Sequence, residues 1–142
     1  MTTPHLLVNP PDLASPVGYS HAVVSAPGRT VHVAGQIGGD ADGRVTETTL
    51  AAQLDVALGN VVAALAAAGA APDEVVTMQL YTTVMDEYRN NLAEIGRVYR
   101  RHLGRHFPAM ALVGVTELVV PEAKVEVLAT AVIAADPPGT RG

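Results

Sequence analysis

Phe107–Ile133, FPAMALVGVTELVVPEAKVEVLATAVI, carries the most structural information in the chain. Two apolar segments, Ala109–Glu117 and Lys124–Ala134, flank a turn at Pro121 and read as strands. Residues of both parities are apolar: Ala111, Val113 and Val115 alternate with Met110, Leu112 and Gly114. Successive strand residues point to opposite faces, so both faces of this sheet need a cover. Helices of the same chain can supply one, and a second copy of the chain the other. Inside the second segment stands a single carboxylate, Glu126, among Val125, Val127, Leu128 and Ala129.

Upstream of this stretch, Tyr88, Leu92, Ile95, Val98 or Tyr99, and His102 or Leu103 recur at helical spacing, which predicts a helix over Glu87–Leu103 ended by Gly104. Val75–Met85 is β-branched on both parities and reads as a strand buried in part on both faces. Leu50, Leu54, Ala57, Leu58, Val61, Val62 and Leu65 predict a long helix from Thr48 or Thr49 to Gly69, with an alanine-rich second half that can lie close to a sheet. His21–Ala26 and Thr30–Gln36, joined at Pro27-Gly28, are expected to form a hairpin. Residues 1–18 hold four prolines and read as an extended lead-in with at most one short strand at His5–Val8. The expected organisation is therefore a lead-in (1–18), one domain (19–134) and a tail (135–142). The order β-β-α-β-α-β-β indicates an α+β architecture, one mixed sheet with two helices on one face.

At 142 residues and 49% hydrophobic content, the chain suits one domain. One Phe, four Tyr and no Trp leave a core of Ala, Val and Leu, and self-association would add burial. A formal charge of −5, with basic residues concentrated only at Arg97, Arg100, Arg101 and Arg105, argues against nucleic acid as a partner; those arginines read as a solvated helix face, with an anion-attracting rim as the alternative. Cysteine is absent, which removes disulfides and thiolate chemistry. No run of ~18 apolar residues and no basic leader is evident, so no membrane partner is expected and the expected location is the cytoplasm.

The segments Val17–Ser25 (VGYSHAVVS), Val31–Gly38 (VHVAGQIG), the alanine-rich helix and Pro108–Val127 (PAM…PEAKVEV) resemble the Rid/YjgF family of reactive-intermediate deaminases, over essentially Asn9–Ile133. The resemblance implies a chorismate-mutase-like α+β fold and a homotrimer whose ligand clefts lie between subunits. In the archetypal deaminases an arginine after Pro-Ala clamps the carboxylate of a 2-imino acid, which is hydrolysed to a 2-keto acid and ammonia. A tyrosine, a glycine and a glutamate complete that pocket. The matching positions here are Tyr19, Gly35 and Glu126, while Met110 occupies the arginine's place. A thioether has neither charge nor donor, so a 2-imino acid loses its main anchor, as in divergent branches of the family.

Glu126 is the leading candidate for chemistry, since a carboxyl withdrawn from water can pass a proton or position a water; the structural alternative is an ion pair with an arginine or Lys124. Tyr19 is placed to donate to a carbonyl, beside Ser20, and the backbone of Gly35 in the Gly35–Gly39 loop to hold an oxygen, in a cleft lined by Met110 and Leu112. Arg105, five residues before Met110, and less so Arg89, are candidates to replace the anion clamp. The five histidines show no metal-ligand spacing and the serines no nucleophile elbow, so neither a metal nor a cofactor is expected. The functional expectation is an enzyme acting on an imine, enamine or carbonyl compound by deamination, hydration, tautomerisation or cyclisation. The alternative is a trimeric protein that binds a small ligand in the same cleft without turning it over.

Overall fold

The computed structural model describes residues 2–136; the expected tail lies, from residue 137 on, outside the described residues. Among these residues six strands and three α-helices follow in the order β1 (Leu6–Val8), β2 (Ala22–Val24), β3 (Gly28–Ile37), α1 (Leu50–Ala67), β4 (Val75–Thr82), α2 (Met85–Arg89), α3 (Leu92–Leu103), β5 (Ala109–Gly114) and β6 (Val125–Ala134), with a 3₁₀ turn at Pro72–Glu74 before β4. The main sheet is mixed, in the order β3-β6-β4-β5: β6 runs antiparallel to both neighbours, and β4 and β5 run parallel.

Two expected pairings are replaced. β2 and β3 do not form a hairpin; β2 pairs antiparallel with β1, and β3 with β6 over a long ladder from Gly28↔Ala134 to Ile37↔Glu126. The strands flanking Pro121 are not neighbours either, because β4 lies between β5 and β6. A parallel β4–β5 pair needs a crossover, and α2 and α3 provide it. The helix expected over Glu87–Leu103 starts at Met85 and is interrupted at Asn90-Asn91, giving α2 and α3. β4 stops at Thr82 and β5 at Gly114, short of the expected ends.

Thr49 caps α1, its hydroxyl accepting from the Ala52 N–H at 3.2 Å; such a cap contributes about 1 kcal/mol. α1 packs on β3 and β6, and α3 packs on α1. The buried core gathers Leu54, Leu58, Val61 and Leu65 of α1, Met78 and Leu80 of β4, Ile95 and Leu103 of α3, and Val125, Val127 and Ala129 of β6. With 18 residues and a mean hydropathy of 1.6, α1 is by composition apolar enough to cross a membrane, contrary to expectation. Its leucine face is nevertheless spent on the sheet.

The lead-in is tied to the domain. Buried His5 accepts the Ala26 N–H on Nδ1 (3.0 Å), and its Nε2 lies 3.1 Å from the carbonyls of both Glu74 and Val132, which requires the Nε2–H tautomer. The opposite face of the sheet, carrying the half-buried Glu126 and Tyr81 and the exposed Ala111, Val113 and Leu128, is covered by no helix among the described residues.

Candidate functional site

Strand parity divides the sequence-predicted site residues into two sets. Met110 pairs in register with Met78, and Leu112 with Leu80, on the face turned to the helices, where Met78 and Leu80 are buried. Glu126 pairs with Tyr81 and Ile37, one residue out of phase with buried Val125 and Val127, so it occupies the opposite face.

The helix-side set borders a cavity of about 490 Å³ between β5, the start of α1, and α2–α3. Tyr19, Met110 and Leu112 line it, with Tyr88, Arg100 and Phe107. Ser20 explains how Tyr19 reaches this place. Its N–H donates to the Pro108 carbonyl (3.0 Å), its hydroxyl donates to the Phe107 carbonyl (2.6 Å), and it bridges to Ala109 at the start of β5. Ser20 is only 4% exposed and its hydroxyl is committed, so it holds Tyr19 in position and leaves no free hydroxyl for a ligand. The Tyr19 ring also meets His21 edge-on, at a centroid distance of 5.1 Å.

The cavity wall is equally well anchored. Tyr99 stacks on Phe107 (5.4 Å, 10° between planes) and donates its hydroxyl to the His106 carbonyl at 2.6 Å. Burial pushes the Tyr99 phenol well above its ordinary range, so it stays a neutral donor. His106 is buried with Nε2 2.7 Å from the Val75 carbonyl, and His102 turns to Asp55 at 2.6 Å, so the two histidines serve separate structural contacts. Among the described residues no three His, Asp or Glu side chains gather as metal ligands.

On the open face, β3 bulges between Val33 and Gln36 and leaves Ala34 and Gly35 without Cα partners in the ladder. The Glu126 side chain fills the space over Gly35: a Cβ there would lie 2.3 Å from Glu126 Oε1. Glycine leaves room for this approach, and a methyl group there would push the carboxylate aside. The ion-pair alternative for Glu126 is not realised, because Lys124 reaches Glu87 at 2.7 Å and the other ion pairs of the described residues join Arg89 to Asp86 and Arg101 and His102 to Asp55.

Arg105 is exposed and does not line the cavity, and Arg89 is held by Asp86. The arginine that does line it is Arg100, a member of the basic cluster of α3. Its signal is the spacing Leu92, Gly96, Arg100, one stripe of α3 at four-residue intervals. All four arginines of the cluster, Arg100 included, are exposed, and Arg101 also reaches across to Asp55 of α1 at 2.7 Å.

A family model described as Endoribonuclease L-PSP matches residues 11–133. No curated protein matches the sequence significantly. Among solved structures, YyfB from Yersinia pestis, described as a protein of unknown function of the conserved Rid protein family, is 34% identical with a TM-score of 0.81, covering 91% of this chain and 98% of that one. Rv2704 from Mycobacterium tuberculosis, a member of the YjgF/YER057c/UK114 family, is 32% identical with a TM-score of 0.61 over 91% and 99% of the two chains. A putative endoribonuclease from Thermotoga maritima is 31% identical with a TM-score of 0.67 over 89% and 93%. The family match over residues 11–133 and the structural likeness over about nine-tenths of the chain agree: the protein belongs to the Rid/YjgF family, the family that the Endoribonuclease L-PSP model describes.

Proposed function

We propose that the protein is an enzyme acting on a small imine, enamine or carbonyl compound in a cleft completed between the subunits of a homotrimer. The observation that carries the proposal is the carboxylate of Glu126, half-buried over Gly35 and outside every ion pair of the described residues. A carboxylate kept near apolar strand residues and not neutralised by a cation is suited to move a proton or hold a water. Tyr19 would donate to the substrate's heteroatom, and the bulged backbone at Gly35 would hold an oxygen.

Tyr19, Met110 and Leu112 face the cavity, while Gly35 and Glu126 lie on the opposite face of the same sheet. The two sets act on one substrate only if the open face of one copy meets the cavity mouth of the next. The apolar lip supports that arrangement, with Val17 88% and Leu92 57% exposed in the single chain. For RNA cleavage the chain offers less. Its net charge is −5, His5 and His106 are buried in backbone contacts, and His102 is held by Asp55.

The test is a panel of imines generated in situ from amino acids by an amino-acid oxidase, with ammonia release or loss of trappable imine as readout. Enamine and carbonyl substrates would be followed by absorbance. Glu126→Gln should lower turnover at least ~100-fold; unchanged turnover removes Glu126 from the chemistry. Met110 favours a second reading, since a thioether at this position binds no charge: a ligand recovered unchanged after saturating incubation would establish a binding protein.

A further inference from the structure

We infer that Arg100 is the anion clamp of the cavity, and that the cavity takes a monocarboxylate with a bulky apolar body, aryl or branched alkyl. This deepens the function proposed above by naming the substrate class. It concerns binding, so it stands whether or not the bound molecule is turned over.

Three observations converge. First, the cavity lining contains one formal charge, Arg100, and no Asp or Glu. In a chain with fourteen acids and nine basic residues, a wall with a lone guanidinium and no carboxylate selects for an anion. Second, Arg100 is not spent elsewhere. The ion pairs of the described residues use Arg89, Arg101, His102 and Lys124 as their cations. Third, α3 is shaped for it. The Arg100 Nη1 lies 3.2 Å from where a Cβ on Gly96 would sit, so the guanidinium lies back along the helix over the glycine, one turn away on the same stripe. A methyl group at position 96 would ask the guanidinium to give by a few tenths of an ångström.

The rest of the lining sets the ligand's other end. Leu50, Leu54, Ile95 and Met110 are apolar. The hydroxyl of Thr82 is already donated to the Lys124 carbonyl at 2.8 Å, and that of Tyr99 to His106. A volume of about 490 Å³ is within the range of small-molecule sites and exceeds what a short polar acid would fill. One planar fork matches one carboxylate, whereas a phosphate dianion would keep a surplus charge against apolar walls.

The test is calorimetric titration of the full chain with 3-phenylpropanoate and its neutral isostere 3-phenylpropanamide, for the wild type, Arg100→Gln, Arg100→Lys and Arg97→Gln. Arg100 is exposed in the chain, so the wild type should prefer the acid by about fivefold, the upper worth of an exposed ion pair. Arg100→Gln should erase that preference while amide binding persists. Arg100→Lys should restore part of it, and Arg97→Gln, which removes a charge from the same helix outside the cavity, should keep it. No binding of the acid at millimolar concentration, equal affinity for acid and amide in the wild type, or an acid preference that survives in Arg100→Gln would each overturn the inference. The two readings fail separately. Acid bound through Arg100 with no imine, enamine or carbonyl turned over leaves the clamp and removes the enzyme; turnover indifferent to Arg100→Gln does the reverse.

Discussion

Gln53→Ala should be among the most damaging single substitutions outside the aliphatic core. Gln53 sits on α1 with 1% of its surface exposed, between the cavity residues Leu50 and Leu54. Its Nε2 donates to the carbonyls of Glu47 and Glu122, both at 3.0 Å, and its Oε1 accepts the Lys124 N–H at 2.7 Å. One amide thus joins the loop before α1 to the segment that leads into β6. Three bonds at about 1 kcal/mol each, plus the cost of leaving their partners unmatched beside a small cavity, give about 3–5 kcal/mol. With a urea m-value of about 2 kcal/mol/M, the midpoint should fall by about 2 M at unchanged m, measured at one protein concentration so that association does not enter. Gln53→Glu is the sharper comparison. It keeps the acceptor for Lys124 but turns a carboxylate oxygen toward two carbonyls, so at neutral pH it should destabilise at least as much as alanine. The loss should ease as acidification protonates the carboxyl and restores a donor. A Gln53→Ala midpoint within about 0.3 M of wild type would show that the amide is replaceable by water and would refute this reasoning.

Gly35→Ala should fold with near wild-type stability, because the obstructing atoms belong to the mobile end of Glu126, yet lose about 100-fold in any Glu126-dependent turnover, since a displacement of about 1 Å at a reacting group costs that much; full activity would separate the two residues functionally. Acid should destabilise the fold through Glu87 and Asp55. Burial pushes the Glu87 carboxyl up, but the Lys124 hydrogen bond, the Leu50 N–H and the Lys124 charge outweigh it and hold it below 4.5. The His102 hydrogen bond, aided by Arg101 and opposed by burial, holds Asp55 below 3.8. Both folded values lie below the unfolded ones, so the stabilisation is complete above those ordinary values and is lost as pH falls through the folded ones. A Tm series from pH 7 to 3 should steepen below about pH 4.5 and flatten in Glu87→Gln; an unchanged profile in the variant would remove Glu87 from the acid response. Tyr99→Phe should cost about 1–2 kcal/mol, a Tm drop of about 3–6 °C, by leaving the His106 carbonyl without its buried donor; a drop under 1 °C would argue that the bond is dispensable.

The elements most legible in the sequence were those written in local periodicity. The leucine spacing of α1 records which side of a helix is buried, and the apolar run around Glu126 records a strand. The family resemblance rested on such segments together with Tyr19, Gly35 and Glu126, and the match over residues 11–133 agrees with it. Strand partnership was not legible. Whether β6 pairs with β5 or with β4 depends on how a parallel crossover packs, and β4 and β6 are about 50 residues apart in a chain whose strands are all apolar enough to pair. For the same reason Pro27-Gly28 looked like a hairpin turn, while the competing ladder with β6 took the whole of β3. The division of the candidate site between two faces, the commitment of Ser20 to Phe107, and the choice of Arg100 over Arg105 all depend on which side chain ends beside which cavity. Sequence by itself determined the kinds of residue and the elements that carry them. Only the tertiary structure decided who meets whom, because those contacts join segments that local pattern treats as independent.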